Sequence, residues 1–147
     1  MHSVRRSQQK MSASVLGVDT NVLVRFLTRD DVEQAETARQ IITAPESQPI
    51  YISLVALVEL VWVLRKVKRW PVPDVFATCR SMLRSSDFLL QHHAMVEQCL
   101  LDAERAGCDL GDALIAHMNR QAGCRTTVTF DHAAQNLPAM SPAETYI

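Results

Sequence analysis

Short runs of apolar and β-forming residues alternate along this chain with segments of helical period, and nothing between them reads as a hairpin turn. Antiparallel neighbours can be joined by a tight turn, whereas parallel neighbours need a crossover, usually a helix. The alternation therefore predicts an α/β fold whose central parallel β-sheet is covered by helices on both faces. Strands are expected over residues 15–18, 50–53, 87–91 and 126–130.

Between them, Val22, Leu23, Phe26 and Leu27 have helical spacing. Asp30 with Glu33 resembles a capping box opening a helix over 31–44, with Val32, Ala35, Ala38, Ile41 and Ile42 as its apolar positions. Pro45 and Pro49 punctuate the next loop, and Ser53 is placed to cap a helix that is apolar on almost every side up to Leu64. Such a helix is expected to be buried. It ends in Arg65, Lys66, Lys68 and Arg69, which either complement the helix dipole or touch nucleic acid. Pro73 suits the first turn of a helix over 73–85. Two more helices are expected over 94–106 and 110–122, the second with Leu110, Leu114 and Met118 on one stripe. Gly107 and Gly123 follow them as left-handed caps. The tail from Pro138 is expected to be loop with a short edge strand at its end.

A length of 147 residues fits one domain, here 15–147, with a core that needs no disulfide or zinc. Residues 1–14 read as a disordered basic leader, dispensable if Met11 is the true start, or else an RNA-binding arm. The leader holds Arg5, Arg6 and Lys10. The rest has 12 basic against 16 acidic residues, a balance of −4 beneath a net charge of −1. A nucleic-acid binder usually carries positive charge. If this body handles nucleic acid, metal ions and local basic patches must offset its acids. Cys79, Cys99, Cys108 and Cys124 show no C-x-x-C spacing and are expected to be free thiols buried in helices. The apolar stretch 54–64 is too short to span a membrane, so a soluble cytoplasmic protein is expected.

Four carboxylates stand in apolar surroundings. Asp19 follows the first strand, Glu59 interrupts the most apolar helix, Asp112 lies three residues after Asp109 at a helix start, and Asp131 follows the last strand. Singly, Asp109 or Asp112 could cap a helix, and Asp19 or Asp131 could shape a turn. Glu59 among Val, Leu and Trp has no such use. An unpaired buried carboxylate is costly, and no matching set of buried-looking Lys or Arg accompanies these four. A hard divalent cation, Mg²⁺ or Mn²⁺, would balance them. The chemistry expected is phosphodiester hydrolysis. Thr20 and Asn21 beside Asp19, and Thr127 and Thr129 on the last strand, are placed to orient ligands. No P-loop, G-x-S-x-G elbow or histidine set competes with this reading.

These residues resemble the PIN-domain family, and within it the VapC-like toxins of bacterial toxin–antitoxin pairs. The resemblance rests on Val18-Asp-Thr-Asn-Val-Leu23, on Val58-Glu-Leu60 with Trp62-Val-Leu64, on Asp109-Leu-Gly-Asp-Ala-Leu-Ile-Ala116 and on Thr127-Val-Thr-Phe-Asp131. It implies a three-layer α/β/α sandwich and a metal-dependent endoribonuclease. Asp19, Glu59, Asp112 and Asp131 would hold the metal, with Asp109 auxiliary. It further implies a homodimer and a cognate VapB-like antitoxin whose tail crosses the active-site groove. Arg25, Arg29, Arg65, Lys66, Lys68 and Arg69 are the candidates for contact with RNA or antitoxin. The rival readings are a non-catalytic PIN-like binding module and, more remotely, a receiver-like signalling domain. The receiver needs an acid at the end of strand three and a late Lys. This chain has Leu90-Gln91-His92 there and no Lys after Lys68.

Overall fold

The computed structural model describes residues 15–147, and the proposed leader lies outside them. The chain divides into two compact units, one ending at Gln91 and one spanning His92–Ile147.

The first unit runs α1 (Thr20–Thr28), α2 (Val32–Thr43), a 3-10 turn (Pro45–Ser47), β1 (Ile50–Ile52), α3 (Leu54–Trp62), a π-helical segment (Val63–Val67), α4 (Val72–Arg84) and β2 (Phe88–Leu90). β1 and β2 pair in parallel, Ile50 opposite Phe88 and Ile52 opposite Leu90. Ile50 and Ile52 are fully buried. The strand predicted over 15–18 reduces to one parallel bridge, Gly17 with Tyr51, where the Tyr51 N–H donates to the Leu16 carbonyl at 2.8 Å. Leu16 and Gly17 both stay exposed, so little apolar burial is gained by lengthening this ladder.

α1 and α2 pack together through Leu23, Val24, Ala35, Ala38 and Ile42, all buried. Phe26 on α1 meets Phe88 on β2 edge to face, with ring centroids 6.4 Å apart. The cap of α2 differs from the expected box. Asp31 is the N-cap and accepts from the Gln34 N–H at 3.0 Å. Asp30 instead takes the Lys68 ammonium at 2.6 Å, pinning the α1–α2 corner to the segment after α3.

α3 departs most from expectation. Ser53 caps it as predicted, accepting from the Ala56 N–H at 3.1 Å. Leu57, Leu60 and Leu64 are at most 1% exposed. At about 2 kcal/mol per buried leucine, against about 1 for a cap, burial rather than capping holds this helix. Yet it is not buried all round. Val55, Val58, Glu59 and Trp62 form an exposed face, Val55 at 70% and Trp62 at 58%. The helix then widens over Val63–Val67, closed by an i→i+5 bond from the Lys68 N–H to the Val63 carbonyl at 2.9 Å.

The second unit holds α5 (His93–Ala106), α6 (Leu110–Gln121), β3 (Thr127–Thr129), a 3-10 turn (Ala134–Asn136), β4 (Met140–Pro142) and a final 3-10 turn (Ala143–Tyr146). α5 and α6 pack through Val96, Cys99, Leu100, Ala103, Leu110, Ala113 and Leu114. Met118, expected on that stripe, is exposed. Gly107 and Gly123 have φ of 75° and 99°, the left-handed cap conformation. β3 and β4 pair in parallel. The tail's strand therefore lies near its start, and a 3-10 turn takes the place of the end strand. All four cysteines are free; Cys79, Cys99 and Cys108 are buried, and Cys124 is exposed.

Asp31→Ala should lower stability by about 1 kcal/mol, the usual loss of a helix cap. Asp30→Ala should cost less, because its pair with Lys68 is partly solvent-screened. Urea midpoints of the two variants check this; a larger loss for Asp30→Ala would contradict the assigned cap.

Candidate metal centre

In the first unit, the acid that ends the Val15–Val18 run also begins α1. Asp19 is extended (φ −86°, ψ 175°), and its Oδ1 accepts from the Asn21 N–H at 3.1 Å and the Val22 N–H at 3.4 Å. The positive end of the helix thus steadies the charge, and the cap uses Oδ1. One residue on, the Thr20 hydroxyl donates to Glu59 Oε1 at 3.0 Å. That bond ties the start of α1 to the middle of α3 and brings two carboxylates forty residues apart in sequence to one place. Glu59 itself is exposed, contrary to the expectation of a carboxylate buried among apolar groups. Its Val55 and Trp62 neighbours face outward with it.

In the second unit, Asp109 occupies the N-cap position of α6, but its carboxylate does not cap the helix. Asp112 lies in the first turn and is half-buried. Its carboxyl is pushed above the usual aspartate range, first by burial and then by the charge of Asp131. Asp131 follows β3. Its Oδ1 accepts from the Ala134 N–H at 2.8 Å, and its own N–H donates to Thr129 Oγ1 at 3.0 Å. Thr127 is engaged otherwise: its Oγ1 accepts from Asn119 Nδ2 at 2.9 Å.

Sequence reasoning missed Cys108 as a neighbour of these acids. Its thiol is raised to about 11, first by burial and then by Asp112 and Asp131. Burial and two neighbouring carboxylates thus disfavour its thiolate in the metal-free protein. The acids beside it offer carboxylate oxygens, which suit a hard cation of the Mg²⁺ or Mn²⁺ type. Among the described residues, no three His, Cys, Asp or Glu side chains stand grouped as a ready metal cage.

Among the expected basic contacts, Arg25 and Lys68 are engaged within the first unit. Arg25 Nε donates to Gln34 Oε1 at 2.6 Å, and Lys68 pairs with Asp30. Arg29, Lys66 and Arg69 are exposed, and Arg29 and Arg69 adopt positive φ. Arg65 is half-buried. Between α1 and α2 lies an open groove of about 210 Å³, bordered by Asn21, Val22, Arg25, Thr37, Ala38 and Ile41.

Carboxylate oxygens on a scaffold of helices and parallel strands are the donor chemistry of enzymes that use a hard divalent ion. The PIN domain family matches residues 17–139, through both units, and the chain belongs to that family. Its helices and parallel strands are those of the three-layer α/β/α PIN-like fold. PIN domains are in general nucleases that typically use divalent metal ions. No curated protein matches the chain.

Because folding raises the Asp112 value, the folded state favours its protonated form. That stabilisation is complete below the ordinary aspartate range and is lost as pH rises through the raised value. In chelator at neutral pH, Asp112→Asn should therefore melt above wild type. Glu59→Gln, at an exposed position, should melt with it. Added Mg²⁺ should raise the wild-type Tm and leave Asp112→Asn unmoved. A melt series across pH 4–8, with and without Mg²⁺, reads all three.

Proposed function

We propose that the protein is a Mg²⁺- or Mn²⁺-dependent endoribonuclease, acting in the cytoplasm as the VapC-like toxin of a toxin–antitoxin pair. Asp19, Glu59, Asp112 and Asp131 are its metal-holding residues, with Asp109 auxiliary. The observation that carries the reading is the state of Asp112, a half-buried carboxyl whose charge is opposed by both burial and Asp131. A divalent cation reverses both effects, since it attracts the charge that Asp131 repels.

The chain's own groups prepare the site. Backbone amides fix Asp19 and Asp131 through one oxygen each. Thr20 fixes Glu59 through Oε1, and Thr129 fixes the backbone that carries Asp131. Asn21 contributes its N–H to the hold on Asp19. When bound, divalent ions activate a water for attack at phosphorus and stabilise the leaving oxygen. Exposed Arg29, Lys66 and Arg69 supply positive charge for RNA phosphates. The largely apolar α1–α2 groove suits the apolar face of an amphipathic segment of a VapB-like antitoxin. The exposed Val55, Val58 and Trp62 suit a second copy in a homodimer.

One observation favours a non-catalytic binding module instead: among the described residues, no three candidate ligands form a ready-made group. Cleavage of fluorescent RNA separates the readings. The nuclease cuts in Mg²⁺ or Mn²⁺ and stops in excess chelator. Asp19→Asn and Asp112→Asn should each lose more than about 100-fold in rate, beyond what outer partners of a metal site usually cost. Thr20→Ala, which frees Glu59, should lose about 10-fold. Cleavage that persists in chelator, or a folded Asp112→Asn variant with normal turnover, would overturn the assignment.

A further inference from the structure

The residue before Asp131 is the most exposed aromatic of the described chain. Phe130 is 78% exposed and follows β3 directly, in the bend that leads to Asp131. The backbone on its C-terminal side is fixed: the Asp131 N–H donates to Thr129 Oγ1, and Asp131 Oδ1 takes the Ala134 N–H. Strand alternation within β3 puts Thr127 and Thr129 on one face and Val128 on the other. Val128 is 48% exposed as well. The exposed ring is therefore carried on a Cα about 3.8 Å from that of Asp131, beside a backbone that hydrogen bonds fix.

We infer that Phe130 is a stacking platform for a nucleobase of the RNA, positioning the neighbouring phosphate at Asp131; the inference rests on the nuclease reading above. The occupant of this spot must tolerate Asp131 and Asp112 while offering a flat apolar face to the ring. An unpaired nucleotide with its phosphate on a divalent ion does both, and base–aromatic stacking needs no particular base. A base inside a duplex has its faces covered and does not serve. A second copy of this chain fits less well, because a two-fold contact centred on Phe130 would bring Asp131 towards its own symmetry mate.

The test is steady-state cleavage of a short unstructured RNA in Mg²⁺ by full-length variants. Phe130→Ala and Phe130→Leu should raise KM about 10-fold while kcat changes less than about 2-fold, as loss of one stacked base predicts. Phe130→Tyr and Phe130→Trp should restore KM, and RNA should quench the added tryptophan. Because the position is exposed, all four should melt with wild type. A Leu variant equal to wild type would overturn the inference, since a merely apolar contact is served by leucine. A Phe130→Asp variant with unchanged KM and altered mass in light scattering would assign the ring to a protein contact instead. These results leave the nuclease reading standing, whereas a wild type that cuts no RNA would remove both.

Discussion

A carboxylate at the junction of strand and helix can give one oxygen to the fold and keep the other for chemistry. Asp19 and Asp131 are both built this way, each taking backbone N–H groups on Oδ1 at the start of the next turn. The amides of a helix start are short of partners, so the acid satisfies them while they steady its charge. These bonds fix the direction of each carboxylate.

Glu59 and Asp112 solve the same difficulty in opposite ways. Glu59 avoids desolvation by facing out of α3, and one hydroxyl, that of Thr20, sets its direction. Asp112 accepts partial burial in the first turn of α6, with Asp131 close enough to oppose its ionisation. The neighbouring Cys108 thiol is kept from ionising by the same burial and charges.

Much of the architecture was legible because it follows from period and punctuation. The 3.6-residue repeats gave α2, α4, α5 and α6 to within a residue or two, Ser53 announced α3, and the two glycines marked the helix ends. What escaped depended on groups distant in sequence. Asp30 looked like a cap only because Lys68, thirty-eight residues away, was invisible as its partner. The run at Val15–Val18 looked like a strand, but a strand's extent is set by its neighbour, and Tyr51 engages it at one point. α3 read as buried because hydropathy alone cannot say whether an apolar face meets the same chain or faces away from it. The acids were found by their contrast with their surroundings. Asp112 is half-buried, as that contrast suggested, whereas Glu59 stands among residues that are themselves exposed.

The widened turn after α3 bears on how this surface tolerates change. An α-helix advances about 100° per residue, so the extra residue in the Val63–Val67 ring offsets the phase of everything after it. Lys68 meets Asp30 from that offset position. A one-residue deletion there would swing the basic end around the axis and separate the pair. A charge-preserving substitution would leave both in place. Spacing, more than composition, is what that stretch of chain has to conserve.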